Sequence, residues 1–295
     1  MKLIIQPDEG IAPLLLALKR AKKNIDIMIF RFDRVELEKA IAQAVTRGVA
    51  VRALVARTNR GGEKRLRKLE MSFLDAGVTV CRTDADLTRY HGKMMIIDGE
   101  LYLLGFNYTE LDIDRSRSFG VRTRDAAVVK AATALFEADA TRRPYEPVSD
   151  RLVVSPESSR RLLGSFISGA KKELLIYDPK VSDRMMIKLL RERVARGVSV
   201  RVIGSMSKSI DGIEVRKSTR HRLHVRAIVR DRRAVFVGSQ SLRRLQIDGR
   251  REVGLIAPQA ALATTIARVF EDDWGNKKGK DAAEDVTAPP KAKAS

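Results

Sequence analysis

Apolar positions divide the chain into alternating strands and helices. Residues 23–30, KNIDIMIF, carry isoleucine at every second position, which is typical of a β-strand. The residues VELEKAIAQAVTRG then predict a helix that ends at Gly48, with a valine-rich buried strand directly after it. The runs LYLLGF and SFGVRT predict two further strands, and residues 125–140 predict a closing helix.

The same series occurs a second time. KELLIYDP at 172–179 corresponds to the first strand, and ARGVSVRVIG at 195–204 nearly repeats TRGVAVRALV at 46–55. The runs AVFVGS and EVGLIA and a helix over 258–273 complete the second series. This alternation predicts an α/β fold of two tandem repeats, each a mixed or parallel sheet flanked by helices.

The repeats set the domain organisation. The segment TRRPYEPVSD has two prolines and no apolar period, which is typical of a linker. The predicted units are a first repeat at 1–141, a linker at 142–150, a second repeat at 151–275 and a disordered basic tail at 276–295, rich in Ala, Lys and Pro.

Composition narrows the class of protein. The 295 residues carry a net charge of +20, which favours polyanionic partners, either nucleic acid or an anionic membrane surface. Aromatic residues make up 5%, few for a single-strand binder that stacks bases. The lone cysteine, Cys81, excludes intramolecular disulfides. We expect a cytoplasmic protein, with peripheral membrane contact left open, because no apolar run reaches the roughly 18 residues of a membrane span.

Two histidine motifs occupy equivalent places in the repeats. His91 and Lys93 form the first His-x-cation pair, and His224 and Arg226 form the second. In an extended segment both side chains of a pair point to the same side. An imidazole can act as nucleophile or acid near neutral pH, and a fixed cation can hold anionic oxygens. If the repeats pack about a pseudo-twofold axis, both pairs face one cleft equipped for displacement at a phosphodiester.

A metal centre is the weaker interpretation of these histidines. His221-x-x-His224 has a spacing that a metal site can use, but one cysteine and three histidines make a poor ligand set. We expect neither a metal nor any other cofactor.

The motifs resemble the signature of the phospholipase D superfamily, His-x-Lys-x4-Asp, which usually occurs twice. The first copy matches fully with Asp98 as its acid, and the second ends at Asp231 but has Arg226 in place of lysine. The resemblance covers nearly the whole chain. It implies two α/β repeats with the active site at their interface, and a phosphohistidine intermediate without metal.

The chain departs from the family pattern after each motif. Family members continue with Gly-Ser-x-Asn or Gly-Gly-x-Asn and then a carboxylate. Here Asn107 comes one place early, and the second copy keeps Ser239 but has Ser241 in place of asparagine. The second copy keeps its carboxylate as Glu252, whereas the first has Ser118 at that position.

The resemblance implies a role for each group. In the family the carboxylate orients the histidine of the opposite repeat, so Glu252 would support His91 as nucleophile. His224 would be the general acid, with Asp112 or Asp114 as the replacement for its missing carboxylate.

The remaining motif residues have supporting roles in this interpretation. Lys93 and Arg226 would hold the non-bridging phosphate oxygens, and arginine keeps the charge with a larger, planar group. Asp98 and Asp231 are expected to have a structural role and to tie each motif loop to neighbouring backbone or charges.

The leading functional prediction is a phosphodiesterase or phosphatidyltransferase acting on phospholipids, of the phospholipase D or cardiolipin synthase type. One alternative is a nuclease of the same superfamily, favoured by the arginines around the second motif. A second alternative is a non-catalytic phosphate-binding relative, favoured by Arg226 and Ser118. An oligomer is not required, because the duplication supplies both half-sites.

Overall fold

A computed structural model describes residues 1–58, 63–218 and 220–275 of the chain. The predicted tail at 276–295 lies outside the described residues. The strands of the first repeat are β1 (Lys2–Gln6), β2 (Asn24–Ile29), β3 (Ala50–Val55), β4 (Thr79–Arg82), β5 (Arg89–Tyr90), β6 (Met94–Ile97), β7 (Glu100–Leu104) and β8 (Ser116–Thr123). Its helices are α1 (Ala12–Arg20), α2 (Val35–Thr46), α3 (Glu63–Asp75), α4 (Glu110–Asp114) and α5 (Ala126–Ala140).

The second repeat has the same order of elements apart from one helix. Its strands are β9 (Leu152–Ser155), β10 (Glu173–Val181), β11 (Ser199–Met206), β12 (Ile213–Arg216), β13 (Arg222–Leu223), β14 (Ala227–Arg230), β15 (Ala234–Gly238) and β16 (Arg250–Ala257). Its helices are α6 (Ser159–Ser168), α7 (Arg184–Ala195), α8 (Arg244–Asp248) and α9 (Ala260–Gly275).

Each repeat forms one mixed sheet with equivalent strand order. The first sheet runs β1-β8-β7-β6-β2-β3-β4, and the second runs β9-β16-β15-β14-β10-β11-β12. The β2–β3 and β10–β11 pairs are parallel, as expected for strands joined through a helix, whereas β6–β7 and β14–β15 are antiparallel hairpins. The predicted α/β fold with two repeats is confirmed.

Three apolar clusters hold these layers together. One cluster contains residues of both repeats, including Phe119 of β8, Tyr177 of β10 and Phe270 of α9, and joins the two sheets through α5 and α9. The other two lie within the first repeat, beneath α1–α3, and within the second, beneath α6 and α7. The shared cluster keeps the two repeats in one arrangement.

Two very short strands cross from one repeat to the other. β5 leaves the first repeat and pairs with β16, with Arg89 opposite Arg250 and Tyr90 opposite Arg251. β13 makes the reciprocal crossing and pairs with β8 of the first repeat. Each motif histidine directly follows one of these crossing strands, so it enters the site beside the opposite repeat.

The predicted linker at 142–150 falls between the end of α5 and the start of β9; the repeat boundaries as such stay a prediction. Strand β10 is longer than the apolar pattern indicated, because it continues through Pro179 to Val181 with a shift of register after Asp178. Among the described helices, none combines the length and apolarity needed to cross a membrane.

Candidate active site

His91 lies at the interface of the repeats. Its backbone N–H donates to the Arg251 carbonyl at 2.7 Å, which continues the β5–β16 pairing by one residue. Its Nδ1 lies 2.7 Å from Oε2 of Glu252, the residue after Arg251. The Phe30 ring packs edge-on against the imidazole at a centroid distance of 4.4 Å. The structure thus places His91 and Glu252 together, with ring Nε2 directed away from the carboxylate.

Lys93 completes a buried triad with these two groups. Its Nζ lies 2.8 Å from both ring nitrogens of His91. Burial lowers the pKa of Lys93 to about 7, although the Glu252 charge opposes this. Burial also raises the pKa of Glu252 to about 7, against the effect of Lys93. Burial and the Lys93 charge hold the pKa of His91 well below its usual range, so this imidazole is neutral at neutral pH.

His224 faces the site from the second repeat. Its backbone N–H donates to the Arg117 carbonyl at 3.3 Å, and the Ser118 hydroxyl donates to the His224 carbonyl at 3.3 Å. Its Nδ1 lies 3.5 Å from Oδ2 of Asp112. Burial and the Arg226 charge hold the pKa of His224 well below its usual range, with Asp112 opposing them. In contrast to Glu252, Ser118 offers its histidine no carboxylate.

Arg226 lies close enough to both halves of the site to influence their charges. One guanidinium nitrogen donates to the His224 carbonyl at 3.4 Å, while Nε is buried without a hydrogen-bond partner. Burial lowers the pKa of His91 most, the charge of Lys93 comes second and the charge of Arg226 third. Its guanidinium therefore supplies positive charge beside both imidazoles.

Asp98 and Asp231 hold equivalent turns. Each carboxylate accepts three consecutive backbone N–H groups, from residues 22–24 for Asp98 and from residues 171–173 for Asp231. Both residues have positive φ, 48° and 54°, a conformation that aspartate tolerates better than most side chains. Each aspartate directly follows β6 or β14, whereas the motif cation directly precedes the same strand, so the two residues lie at opposite ends of it.

The residues after each motif stabilise the walls of the site. Asn107 donates its side-chain amide to Asp112 at 2.6 Å and its backbone N–H to the same oxygen at 3.1 Å. The Ser239 hydroxyl accepts from the backbone N–H of Val253 at 3.1 Å, which fixes β16 next to Glu252.

Ser241, where the family pattern has asparagine, has a partner that the sequence analysis missed. Its hydroxyl donates to the fully buried carboxylate of Asp178, whose other oxygen accepts the Leu242 N–H at 2.6 Å. Its backbone N–H donates to the Gln246 side chain at 2.8 Å. Asp178 lies at the carboxyl end of the regular parallel pairing between β10 and β11. Functional side chains concentrate at such ends of parallel strands, and this position was the signal that the sequence offered.

A cleft of about 260 Å³ opens beside His224. It is lined by Arg31, Phe32, Asp33, Arg65, Leu66, Asn107, Thr109, Leu111, Asp112, Arg222 and His224. Arg31 and Arg65 were not predicted from the sequence. Arg31 lies two residues after the end of β2, whereas Arg65 on α3 carries no signal of its own. A larger cavity of about 810 Å³ lies between β1 and α1 and includes only Asp98 of the predicted residues. In the described ranges, no cluster of three or more His, Cys, Asp or Glu side chains could hold a metal.

Two α/β repeats that meet at paired His-x-cation motifs are the pattern of the phospholipase D class of proteins. A family model described as "Cardiolipin synthase, PLD-like domain" matches residues 14–140 and 163–274, and the chain belongs to this family.

Individual relatives are more distant. A mitochondrial cardiolipin hydrolase of Xenopus tropicalis is 29% identical over 144 residues, covering 48% of this chain and 65% of the relative. A cardiolipin synthase 1 of Bacillus cereus is 25% identical over 251 residues, covering 68% of this chain and 49% of the relative. This chain spans between about half and two thirds of the length of these relatives.

A solved structure shares the fold over most of the chain. The polyphosphate kinase of Porphyromonas gingivalis superimposes with a TM-score of 0.78 at 18% identity, covering 92% of this chain and 50% of that one. A likeness at this identity concerns the fold alone.

Proposed function

We propose that this protein is a metal-independent phosphodiesterase or phosphatidyltransferase that forms a phosphohistidine intermediate, with phospholipids as substrates. The observation that carries the proposal is the buried triad, in which Glu252 lies 2.7 Å from Nδ1 of His91 and Lys93 lies 2.8 Å from both ring nitrogens. A neutral imidazole held by a carboxylate on one nitrogen is an oriented nucleophile on the other.

The reaction follows from the placement of these groups. Nε2 of His91 attacks phosphorus and forms the P–N bond while the P–O bond to the leaving alcohol breaks. His224 gives its Nε2 proton to that oxygen, and the negative phosphate favours the protonated imidazole that this step requires. Lys93 and Arg226 hold the non-bridging oxygens. Water or an alcohol then attacks phosphorus, returns a proton to His224 and releases His91.

Two observations support a lipid substrate. The relatives described above are a cardiolipin hydrolase and a cardiolipin synthase, and they match 48% and 68% of this chain. The net charge of +20 favours contact with anionic headgroups at a membrane surface, where each basic residue contributes about 1 kcal/mol. We expect a peripheral protein that sediments with vesicles containing phosphatidylglycerol. Equal sedimentation with neutral and anionic vesicles would contradict the lipid assignment.

The catalytic proposal is tested with bis-p-nitrophenyl phosphate in the presence of EDTA, comparing the wild type with His91→Ala. We expect EDTA-resistant turnover that falls at least ~10³-fold in the variant, because groups that act as a unit fail together. His221→Ala is the matched control, since it removes a histidine outside the duplicated motif and should keep turnover near the wild-type rate. A loss below tenfold in His91→Ala would contradict the assigned nucleophile.

A nuclease is the second candidate, because exposed arginines gather near the second motif. Arg222, Arg243 and Arg244 are exposed at the same end of the second repeat as Arg226. Arg230, Arg232 and Arg233, by contrast, lie at the far end of β14. Cleavage of a fluorescent oligonucleotide by the wild type but not by His91→Ala, with binding that weakens as salt rises, would favour this candidate over the lipid enzyme.

A further inference from the structure

The two repeats place their carboxylates differently around the opposite histidine. In the second repeat, β16 carries Glu252 and the neighbouring helix α8 carries the neutral Gln246. In the first repeat, the equivalent strand β8 carries the neutral Ser118, and helix α4 carries Asp112 at the place of Gln246. Each repeat therefore presents one acidic and one neutral group, but in exchanged positions.

The equivalence of Asp112 and Gln246 is visible in their contacts. Oδ2 of Asp112 accepts the backbone N–H of Asn107 at 3.1 Å, five residues before it. Oε1 of Gln246 accepts the backbone N–H of Ser241 at 2.8 Å, also five residues before it. The equivalent short helix therefore accepts the equivalent backbone N–H in both repeats. The accepting side chain is charged in the first repeat, as Asp112, and neutral in the second, as Gln246.

Asp112 is held rigidly and points toward the histidine of the second repeat. It is 3% exposed, and besides the two Asn107 donors it accepts the Arg222 guanidinium on Oδ1 at 2.8 Å. Its Oδ2 lies 3.5 Å from Nδ1 of His224, a buried atom without a hydrogen-bond partner. No other described carboxylate forms an ion pair with that ring.

We propose that Asp112 is the positioning residue for His224, replacing the carboxylate that Ser118 does not provide. It holds the proton on Nδ1 and turns Nε2 toward the oxygen of the leaving alcohol. The proposal rests on the phosphohistidine mechanism for its catalytic consequence, but the orientation of the ring can be measured without turnover.

The charge of Asp112 suits this role. Burial alone would raise the pKa of Asp112, but the Asn107 donors and the Arg222 charge oppose it, and the pKa lies below the usual range. The carboxylate is therefore ionised across the neutral range. An ionised partner stabilises the imidazolium that exists before the proton passes to the leaving oxygen.

The activity test uses two substrates that differ only in the leaving group. p-Nitrophenolate leaves without a proton, whereas the glycerol alkoxide of phosphatidylglycerol requires one. In single-turnover experiments with phosphatidyl-p-nitrophenol and phosphatidylglycerol, Asp112→Asn should slow release of glycerol by about 10²-fold and release of p-nitrophenol by less than about threefold. Asp114→Asn is the matched control, because Asp114 lies on the same helix but pairs with Arg34 at the surface. Equal losses on both substrates would indicate a structural role and overturn the proposal.

A second measurement is independent of turnover. The chain has three histidines, so the ¹⁵N signals of His224 can be assigned by comparison with His91→Ala and His221→Ala. We expect the Nδ1–H tautomer of His224 in the wild type and a loss of this preference in Asp112→Asn. If the wild type hydrolyses neither lipid but shows this tautomer, the proposed function fails while the positioning role stands. An Nε2–H tautomer, or one unchanged by Asp112→Asn, refutes the positioning role.

Discussion

Replacement of Glu252 by glutamine isolates the negative charge beside His91, the proposed nucleophile. Glu252 is fully buried, and its Oε2 lies 2.7 Å from Nδ1 of His91. Glutamine has nearly the same shape and still offers an oxygen to Nδ1–H. The change therefore removes negative charge from the triad while keeping its packing.

The expected loss follows from the strength of a charge-assisted hydrogen bond. Such a bond contributes about 1.5–3 kcal/mol, and about 1.4 kcal/mol corresponds to a tenfold change in rate. The carboxylate matters most when His91 becomes cationic on forming the P–N bond. We therefore expect Glu252→Gln to lower kcat by about 10- to 10²-fold, with KM little changed because the carboxylate faces the histidine rather than the substrate.

The thermal stability of Glu252→Gln should equal or exceed that of the wild type, although its kcat is lower. Burial raises the pKa of Glu252 to about 7, so the folded protein binds a proton that the unfolded chain has already lost above its ordinary value of 4.5. This group therefore costs stability progressively as pH rises from about 4.5 to about 7. Glutamine removes that cost, and the Tm of Glu252→Gln at pH 8 should equal or exceed that of the wild type.

The assay is EDTA-resistant hydrolysis of bis-p-nitrophenyl phosphate from pH 5 to 9, with Tm measured on the same samples. In the wild type, kcat should fall as pH drops through about 7, because Glu252 takes up a proton; the variant should lack this acid limb. Glu157→Gln is the matched control, since Glu157 pairs with Arg251 next to Glu252 and does not contact His91. A kcat within threefold of the wild type, or a loss accompanied by a lower Tm, would refute the role of Glu252.

Two further predictions concern the motif cations and the motif acids. Because burial lowers the pKa of Lys93 to about 7, wild-type kcat/KM should fall above that pH. In pH profiles of kcat/KM, Lys93→Arg should move this alkaline limb to higher pH, whereas Arg226→Lys should leave it in place. An unmoved limb in Lys93→Arg would assign it to another group. Asp98→Ala and Asp231→Ala each remove the acceptor of three N–H groups and put alanine at positive φ, so urea unfolding should show a loss of about 2 kcal/mol with kcat retained. Asparagine at either position should cost less, and an unchanged unfolding midpoint in the alanine variants would contradict the anchoring role.

Much of the fold could be predicted because the chain repeats itself. The βαβ segment around Gly48 is long and periodic in both copies, and a duplicated pattern gives two independent signals for each element. The positive φ of 84° at Gly48 explains why glycine follows the helix there. The motif spacing likewise led to His91, and the position of Glu252 two residues beyond the start of β16 follows from the same alignment.

The crossing strands could not be predicted. β5 and β13 are two residues each, too short for any periodicity, and their partners lie in the other repeat. The choice between Asp112 and Asp114 was also open in the sequence. The two residues are two positions apart on a helix, so their side chains are separated by a rotation of about 200° about the helix axis and lie on nearly opposite faces. Only the packing of α4 decides which of the two faces is buried.

The reciprocal strand exchange has a consequence for how this site diversifies. Taken alone, either repeat would hold a histidine whose orienting partner belongs to the other. Two identical copies docked about a twofold axis would make both exchanges and form two equal half-sites. When the two copies are joined in one chain, each can have its own residues at equivalent positions. The first repeat has Lys93 and Ser118 where the second has Arg226 and Glu252. In the proposed mechanism one imidazole attacks phosphorus and the other transfers the proton, whereas two identical chains would carry the same residues around both imidazoles.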